Sequence, residues 1–221
     1  MNVKPKLVIT EDGSHTLYVK ELDEHYHSLH GALTESRHVF IEAGLNALNI
    51  NHINIFEMGF GTGLNAFLTL IETGRSGKTV SYTGLEKFPL AIGVLASLNY
   101  ESLFPGAEGK MFQAIHNIPW NESTGISNEF RLEKKEGDIC RLDTQDRYDL
   151  VYFDAFAPDK QPELWTAEIF NRIFRSMKPS SILTTYSSKG QVRRNLAEAG
   201  FRVEKLPGPP GKRDMTRAWK I

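Results

Sequence analysis

The 221-residue sequence has one cysteine, no long hydrophobic run and no low-complexity tract, and each absence excludes a class of protein. The single cysteine, Cys140, cannot form an internal disulfide or build a thiolate-rich metal site. Nowhere do about 18 apolar residues run together, as a transmembrane helix requires. The N-terminal residues MNVKPKLVITEDGSH also lack the apolar segment of a signal peptide. We therefore expect a single-domain, cytoplasmic protein with no membrane partner.

The charges of the sequence nearly balance, but they are unevenly distributed. Hydrophobic residues make up 40% and charged residues 24% of the chain, as in ordinary globular proteins, and the net charge is −1. From residue 180 onward nine basic residues stand against three acidic ones, a net charge of +6, whereas the preceding part carries −7. A positive surface of this kind can attract a polyanion. A scatter of solvated charges explains the same counts.

From residue 51 onward, segments with the pattern of a strand alternate with segments with the pattern of a helix. Strands are predicted at INIFEMGF, TVSYTGLE, FRLEKKEGDI, DLVYFDAF and SSILTTYSS. Helices are predicted at LNAFLTLIETG, PLAIGVLASLNY with Pro89 in its first turn, the segment from Pro162 to Met177, and QVRRNLAEAG. The alternation predicts an α/β fold, in which helices cover both faces of a mostly parallel sheet. Ligands bind such sheets at the carboxyl ends of the strands.

Three parts of the sequence depart from this alternation. The last two strands, FRVEKL and TRAWKI, are joined by a connection too short for a helix, so we expect them to pair antiparallel. Residues 1–50 form an N-terminal extension, with a hairpin near Asp12 and Gly13 and a helix around 35–48. Residues 102–128 form a loop-rich insertion longer than most connections. An antiparallel last pair on a parallel sheet is typical of class I methyltransferases, so a Rossmann-like domain of that class is predicted at 51–221.

A glycine-rich loop, Gly59-Phe60-Gly61-Thr62-Gly63, follows the first central strand and precedes a helix. Glycines at such a position let the backbone turn tightly and approach a ligand that a Cβ atom would exclude. A dinucleotide-binding pattern needs glycine at the next position, where this sequence has leucine. The spacing instead suits S-adenosylmethionine, although a tight turn without a ligand would need the same glycines.

Acidic residues stand at the ends of three further strands. Glu86 ends the second strand, where a carboxylate can accept hydrogen bonds from the ribose hydroxyls of an adenosine-containing ligand. Asp138 follows the third strand, and it can accept a bond from an adenine amino group or cap a helix. Asp154 follows the fourth, where it would lie beside a cationic sulfonium and orient an attacking amine. A surface carboxylate at Glu86 and a loop aspartate bonded to the backbone at Asp154 are the structural alternatives.

No group of residues in the sequence has the spacing of a metal site. His25 and His27 lie two residues apart, but further ligands are missing, so surface or hydrogen-bonding histidines are expected there. The nucleophile motif G-x-S-x-G does not occur. We therefore expect no metal cofactor.

Five segments together resemble the methyltransferase domain of the bacterial tRNA-modifying enzyme MnmC, most closely its free-standing form. They are FEMGFGTGLN, GLEKFPL, YFDAFAPDKQPELWT, TYSSKGQVRRNLAEAGF and PGKRDM. The N-terminal segment HYHSLHGALTESRHVFIEAGL is similar to the same family. The resemblance covers most of the chain, and the block DAFAP-x-K-x-P-x-x-W is its most specific part.

The resemblance implies methyl transfer from S-adenosylmethionine to 5-aminomethyl-2-thiouridine at the wobble position of tRNA, giving 5-methylaminomethyl-2-thiouridine. It implies no FAD, because the flavin-dependent oxidase domain of the bifunctional members is missing, and a separate enzyme would supply the aminomethyl precursor. One alternative is an aminopropyltransferase or another small-amine methyltransferase of the same fold. A second alternative is a module that binds S-adenosylmethionine without activity.

The motifs and the resemblance together predict the residues of the site. Asp154 is predicted to be catalytic, because it would hold the acceptor amine and ease the loss of its proton. The residues expected to bind the cofactor are Glu57, Gly59, Phe60, Gly61, Gly63, Asn65, Glu86, Lys87, Asp138, Asp154 and Phe156. The residues expected to close the site from the N-terminal extension are Tyr26, Ser28 and Glu35. The basic residues expected to contact phosphates of the anticodon arm are Lys189, Arg193, Arg194, Lys212 and Arg213.

Overall fold

A small antiparallel sheet begins the chain in the computed structural model, which describes residues 5–221. Its strands, in sheet order, are β1 (Lys6–Ile9), β2 (His15–Val19) and β3 (Glu24–His25). In the turn between β1 and β2, Gly13 has φ +83°, and the Asp12 carboxylate accepts hydrogen bonds from Ser14 N (3.0 Å) and Thr34 N (2.9 Å). The hairpin predicted near Asp12 and Gly13 is confirmed.

The helical segment that follows this sheet is interrupted. Helix α1 (Ala32–Ser36) continues into a π-helical turn at Arg37–Glu42, and a separate 3-10 turn lies at Leu45–Ala47. The continuous helix predicted at 35–48 is therefore wrong in its extent. Gly44 lies between the two turns, and a Cβ atom there would be 2.5 Å from the Phe40 carbonyl oxygen. Only glycine permits this close approach, so the chain bends at that point.

The central sheet has eight strands: β4 (His52–Met58), β5 (Thr79–Glu86), β6 (Ser123–Gly125), β7 (Phe130–Glu136), β8 (Tyr148–Phe153), β9 (Met177–Thr185), β10 (Arg202–Pro207) and β11 (Asp214–Lys220). Their order across the sheet is β10-β11-β9-β8-β4-β5-β7-β6. Strands β9, β8, β4, β5 and β7 run parallel, whereas β11 pairs antiparallel with both β9 and β10. The predicted mostly parallel sheet with an antiparallel last pair is confirmed.

Helices cover both faces of this sheet. They are α2 (Leu64–Ser76), α3 (Ile92–Leu95), α4 (Ala107–Asn117), α5 (Ala167–Ser176) and α6 (Gly190–Glu198). Side chains of β4 alternate between two cores: Ile53 and Ile55 pack with α2 and α4, whereas Phe56 and Met58 pack with α5 and α6. None of the helices within residues 5–221 is long and apolar enough to cross a membrane.

The predicted helix from Pro162 to Met177 is divided in two. A 3-10 turn occupies Pro162–Trp165, and α5 begins after it with the Thr166 side chain as its N-terminal cap. Met177 is not helical, because it begins β9 and pairs with Tyr148 of β8. Pairing with the sheet here overrides the helical spacing of the apolar residues.

Residues 87–128 also differ from the prediction. The segment PLAIGVLASLNY forms only the single turn α3, and Pro89 precedes that turn instead of starting it. The stretch 102–128 contains the 11-residue helix α4 and the strand β6, so the prediction of a loop-rich insertion is wrong. Phe112 and Ile115 of α4 are buried in the core beside α2. Their burial orders this segment as part of the domain.

Candidate active site

The order of the strands places candidate residues along one edge of the central sheet. Passing from β9 to β7, the carboxyl ends of the five parallel strands meet this edge at Tyr186, Asp154, Gly59, Glu86 and Gly137. A cavity of about 910 Å³ lies along the edge, and all five residues line it. This volume is at the upper end of the range for small-molecule sites, so it offers room for a cofactor and part of an acceptor.

Two sides of this cavity differ in their origin. The glycine-loop side comes from the ends of β4, β5 and β7, and it comprises Gly59, Phe60, Gly61, Glu86, Lys87 and Asp138. The Glu35 side combines the N-terminal extension with the C-terminal part of the chain, and it comprises Tyr26, Ser28, Glu35, Tyr186 and Lys212. Asp154 follows β8, which lies between β4 and β9, so its carboxyl is placed where the two sides meet.

The glycine loop has a backbone that other residues cannot adopt without strain. Gly59 has φ +87°, and a Cβ atom there would lie 2.4 Å from the carbonyl oxygen of Asp154. Gly61 has φ +49°, and a Cβ atom there would lie 3.1 Å from the ring of Tyr26. The N–H groups of Gly59 and Phe60 both donate to Leu85 O (3.0 Å each), so the loop is fixed to the end of β5. The loop therefore presents bare backbone to the cavity.

The Glu86 carboxylate is held in one orientation by two backbone groups. Its Oε2 accepts a hydrogen bond from Gly61 N (2.9 Å), and its Oε1 accepts one from Phe88 N (2.8 Å). Each oxygen keeps a second lone pair that can accept from a ligand hydroxyl. The glycine loop therefore binds Glu86, whereas the neighbouring Lys87 pairs with Asp138.

Asp138 has the capping role that the sequence left open, and its position also leaves it accessible to a ligand in the cavity. It caps the 3-10 turn Ile139–Arg141 by accepting a hydrogen bond from Cys140 N (2.9 Å), and it also lines the cavity. Lys87 forms an ion pair with it at 2.7 Å. The hydrogen bond from Lys87 is the main cause that lowers the pKa of Asp138 to about 2. The carboxylate is therefore charged and acts as an acceptor at neutral pH.

Asn65 joins two acidic side chains at the start of α2. Its amide nitrogen donates to Asp154 Oδ2 (2.8 Å) and to Glu57 Oε1 (2.8 Å). Glu57 is fully buried and does not reach the cavity, so it supports Asn65 from behind. Asp154 itself is partly exposed to the cavity. Gly63, also expected in the cofactor site, lies behind the cavity wall and begins α2 with φ +75°.

Burial gives these two carboxyl groups unusual proton affinities. It raises the pKa of Asp154 to about 7, and the negative charge of Glu35 acts in the same direction. The hydrogen bond from Asn65 and the charge of Lys212 oppose this shift. Burial also raises the pKa of Glu57 well above its usual range. A carboxyl group with a pKa near neutrality can take up and release a proton under physiological conditions, as a general base must.

On the Glu35 side, an ion pair and an aromatic ring lie next to each other. Glu35 accepts a hydrogen bond from Ser28 N (2.9 Å) and forms an ion pair with Lys212. The Lys212 ammonium lies 4.0 Å from the centre of the Tyr186 ring. Tyr186 was not predicted as a site residue, because it lies within the predicted strand SSILTTYSS; in the structure it directly follows β9, as Asp154 follows β8.

Aromatic side chains enclose the cavity on both sides. Tyr26 and Phe156 pack edge to face with their ring centres 5.0 Å apart, and Tyr26 also covers the glycine loop at Gly61. Burial raises the pKa of Tyr26, so its hydroxyl stays protonated. Phe60 is buried and packs edge to face on Trp120, with the ring centres 5.9 Å apart. It therefore supports the glycine loop from the face of the sheet that α4 covers.

Two buried histidines that the sequence did not single out for the site hold the glycine loop. His27 Nε2 lies 2.8 Å from the hydroxyl of Thr62, and His116 Nε2 donates to the carbonyl oxygen of Thr62 (3.1 Å). Burial lowers the pKa of each histidine to about 4, so both are neutral at pH 7. The hydrogen-bonding role expected for His27 is thus observed. His116 could not be found from sequence, because its partner lies 54 positions earlier.

The five basic residues expected to contact tRNA do not lie together. Lys212 lines the cavity, whereas Lys189 pairs with Asp159 outside it. Arg194 donates to Gln191 Oε1 (2.8 Å) on the surface of α6, next to the half-buried Arg193. Arg213 is 92% exposed. Within residues 5–221 no group of three or more His, Cys, Asp or Glu side chains is arranged to hold a metal ion.

The chain is similar to known proteins in sequence and in structure. The family model described as S-adenosyl-L-methionine-dependent methyltransferase matches residues 113–221. The tRNA 5-methylaminomethyl-2-thiouridine biosynthesis bifunctional protein MnmC of Pseudomonas aeruginosa (strain UCBPP-PA14) is 33% identical over 204 residues, 86% of this chain and 31% of the relative. The protein of that name from Nitrosospira multiformis is 31% identical over 212 residues, 90% of this chain and 34% of the relative. The chain therefore spans about a third of the length of the curated relatives it matches.

Two solved structures illustrate the likeness in fold. The crystal structure of MNMC2 from Aquifex aeolicus has a TM-score of 0.82 and 28% identity, covering 99% of this chain and 71% of that one. The spermidine synthase of Thermotoga maritima has a TM-score of 0.57 and 12% identity, covering 98% of this chain and 73% of that one. At 12% identity, the second likeness concerns the fold alone.

Proposed function

We propose that the chain is an S-adenosyl-L-methionine-dependent methyltransferase and that it methylates the amine of 5-aminomethyl-2-thiouridine at the wobble position of tRNA. The proposed product, 5-methylaminomethyl-2-thiouridine, is the nucleoside after which the curated relatives are named. The chain covers about a third of those relatives, and the proposal extends to this one reaction. A separate enzyme is proposed to supply the aminomethyl precursor.

The glycine-loop side fits S-adenosylmethionine in shape and in chemistry. The bare backbone of Gly59 and Gly61 allows an extended ligand to lie against the loop. The free lone pairs of Glu86 suit two ribose hydroxyls, and Asp138, one strand further along, suits an adenine amino group. When bound, this cofactor supplies a methyl group on a positively charged sulfur. The nearby carboxylates favour binding of that positive charge.

Asp154 is proposed to hold the acceptor amine and to take its proton. An amine has to lose a proton before its lone pair can accept a methyl group, and a carboxyl group with a pKa of about 7 can receive that proton. Asn65 binds Oδ2, and within residues 5–221 no hydrogen bond reaches Oδ1, which leaves Oδ1 for the amine. Asp154 would first take the proton of the ammonium group. The neutral amine would then accept the methyl group that the bound cofactor supplies, and the electron pair of the carbon–sulfur bond would remain on sulfur.

The charge of the C-terminal part supports a nucleic-acid acceptor. The segment from residue 180 carries a net charge of +6, and it contributes Arg213 and Lys189 to the surface. We propose that Lys189, Arg193, Arg194 and Arg213 contact phosphates of the anticodon arm. Such contacts make binding depend on salt concentration, because each one releases counterions from the RNA. If the acceptor were a free small amine, these positive charges would have no phosphates to contact.

One observation carries this proposal: the Asp154 carboxyl lies where the glycine-loop side meets the Glu35 side of the same cavity. The test is nucleoside mass spectrometry of tRNA that carries 5-aminomethyl-2-thiouridine, after incubation with the protein and S-adenosylmethionine. We expect a gain of one methyl group on the wobble nucleoside. The exposed Asp159, changed to Asn, serves as the matched control for Asp154→Asn.

Other results of this experiment would contradict the proposal. If the cofactor binds but the tRNA gains no methyl group, this tRNA nucleoside is not the acceptor. Transfer of an aminopropyl group from decarboxylated S-adenosylmethionine to a polyamine would favour the aminopropyltransferase. Binding of the cofactor without transfer to any amine would favour a binding module. Failure to bind the cofactor at all would contradict the role of the glycine loop.

A further inference from the structure

One basic residue of the C-terminal part points into the cavity. Lys212 lies in the connection 208–213 between β10 and β11, and its ammonium forms an ion pair with the Glu35 carboxylate. The same ammonium lies 4.0 Å from the centre of the Tyr186 ring, as in a cation–π contact. The Lys212 side chain is 33% exposed, whereas that of Glu35 is 9% exposed. The Glu35 carboxylate is therefore shielded from solvent, whereas the Lys212 side chain is partly exposed to it.

The fold fixes both groups that hold this ammonium. Ser28 N donates to Glu35 Oε2 (2.9 Å), so that oxygen is bound by backbone while Oε1 faces Lys212. The Tyr186 hydroxyl donates to Ala155 O (2.8 Å), directly after the proposed base. A carboxylate and a ring face that are held in place without the cation form a preorganised site for an ammonium group.

The connection that carries Lys212 is attached to the N-terminal extension rather than extending freely into solvent. His38 Nε2 donates to Pro207 O (2.9 Å) at the start of the connection. Gly211 lies against the ring of His30 so closely that a Cβ atom would be 2.0 Å from it. Lys212 is thus placed over Glu35 by two further contacts, and its position is a property of the fold.

We propose that Glu35 and Tyr186 form the subsite for the protonated acceptor amine, and that Lys212 fills it as an internal substitute until tRNA binds. The inference rests on the proposed function and names the part of the cavity that recognises its substrate. The aminomethyl group of the acceptor matches the end of a lysine side chain, because both present an ammonium on a CH₂ group. From this subsite the amine passes its proton to Asp154.

Replacement of the Lys212 ammonium by the acceptor ammonium also explains how an amine in tRNA is distinguished from a free amine. When the acceptor ammonium binds Glu35, Lys212 loses its partner and moves out of the cavity. The phosphates of tRNA give the displaced lysine a new partner, whereas a free nucleoside or a polyamine breaks the Lys212–Glu35 pair without replacing it. The ion pair therefore disfavours small amines and leaves tRNA binding nearly unopposed.

The test compares Lys212→Met with the wild type, using 5-aminomethyluridine as the probe and uridine as its uncharged counterpart. Calorimetry is carried out with S-adenosylhomocysteine present, and the affinity for that compound also reports whether each variant is folded. We expect Lys212→Met to bind 5-aminomethyluridine about 5- to 10-fold more tightly, with no change for uridine. Adding Glu35→Gln should abolish the gain.

Lys205→Met is the matched control, because Lys205 is a lysine of the same hairpin that pairs with Asp214 (2.8 Å) outside the cavity. It should bind 5-aminomethyluridine as the wild type does. An affinity of folded Lys212→Met that is unchanged or lower would overturn the inference. If the wild type does not methylate tRNA but the affinity gain is observed, the proposed function fails and the ammonium subsite stands. If tRNA is methylated and no gain is observed, only the subsite fails.

Discussion

The two sides of the cavity are assembled in different ways. Each part of the glycine-loop side comes from a short segment at the end of one parallel strand, and neighbouring strands bring these segments together. The Glu35 side combines residues from three distant segments of the chain, in the N-terminal extension, after β9 and between β10 and β11. The first side depends mainly on backbone geometry, and the second mainly on charged side chains.

Because the two sides are held in different ways, we expect that cofactor binding and acceptor binding can be altered separately. Backbone hydrogen bonds and positive φ angles hold the glycine-loop side, so substitutions there should affect the cofactor first. The Glu35 side is held by one ion pair and a few hydrogen bonds, so substitutions there should change acceptor affinity and pH dependence. Asp154 belongs to both sides, and its substitution should have the largest effect.

Asp154→Asn removes the proposed base and keeps the size of the side chain. We expect kcat to fall by roughly 10²- to 10⁴-fold, the usual contribution of a general base, while the affinity for S-adenosylhomocysteine changes less than about threefold. Methyl transfer to tRNA and calorimetry measure the two quantities. In the wild type, kcat/KM should rise with pH through about 7, because only the deprotonated carboxylate can take the proton. Equal kcat values for Asp154→Asn and the control Asp159→Asn would exclude Asp154 as the base.

The same substitution should change how stability depends on pH. The pKa of Asp154 is raised to about 7 in the folded protein, so the folded state keeps a proton that the unfolded chain releases above about pH 4. The stability that this proton contributes is present at low pH and is lost as the pH rises through 7. Asp154→Asn should therefore be more stable than the wild type at pH 8, by about 2 kcal/mol, with little difference at pH 4. Urea unfolding at both pH values measures this, and a constant difference would contradict it.

Gly59→Ala tests whether the glycine-loop side depends on backbone alone. The added Cβ atom would lie 2.4 Å from the carbonyl oxygen of Asp154, and φ is +87°, so the loop has to move. We expect affinity for S-adenosylhomocysteine to fall by at least about tenfold, with a loss of stability of about 2 kcal/mol. Gly74→Ala is the control, because this glycine lies inside α2 with open space around it. It should be neutral or slightly stabilising, and the same cofactor affinity in both variants would contradict the prediction.

Glu35→Gln tests the opposite side of the cavity. Removing this negative charge takes away a cause that raises the pKa of Asp154, so the acidic limb of kcat/KM should move to lower pH. We expect KM for tRNA to rise about tenfold, and cofactor affinity to stay within about twofold. Glu42→Gln provides the control, because Glu42 is an exposed residue of the same extension. A loss of cofactor affinity equal to that of Gly59→Ala would show that the two sides are not separate.

The smallest effect is expected at the surface outside both sides. Arg213 is 92% exposed, so Arg213→Ala should weaken tRNA binding only about two- to threefold. The slope of log affinity against log salt should become smaller by about one. Filter binding at several salt concentrations measures this slope. Arg131 lies at the start of β7, at the ends of the strands opposite the cavity. Arg131→Ala should therefore leave the slope unchanged.

Most of the glycine-loop side could be predicted because its residues are close in sequence to the strands that position them. Apolar runs and glycines in the sequence predict where the strands β4, β5, β7 and β8 end. The carboxyl ends of these parallel strands necessarily meet at one edge of the sheet. Prediction was poorer for helices. Met177 has the spacing of α5 but belongs to β9, because pairing with β8 decides its conformation.

The parallel sheet, the antiparallel last pair and the acidic residues at the strand ends could be predicted from the sequence, since these features depend on local patterns and short connections. That Lys212 pairs with Glu35, and that Tyr186 lies beneath its ammonium, depends on the tertiary structure. The Glu35–Lys212 pair joins positions 177 residues apart. No local pattern encodes such a contact, because burial and charge neutralisation choose a partner only when the whole chain is folded.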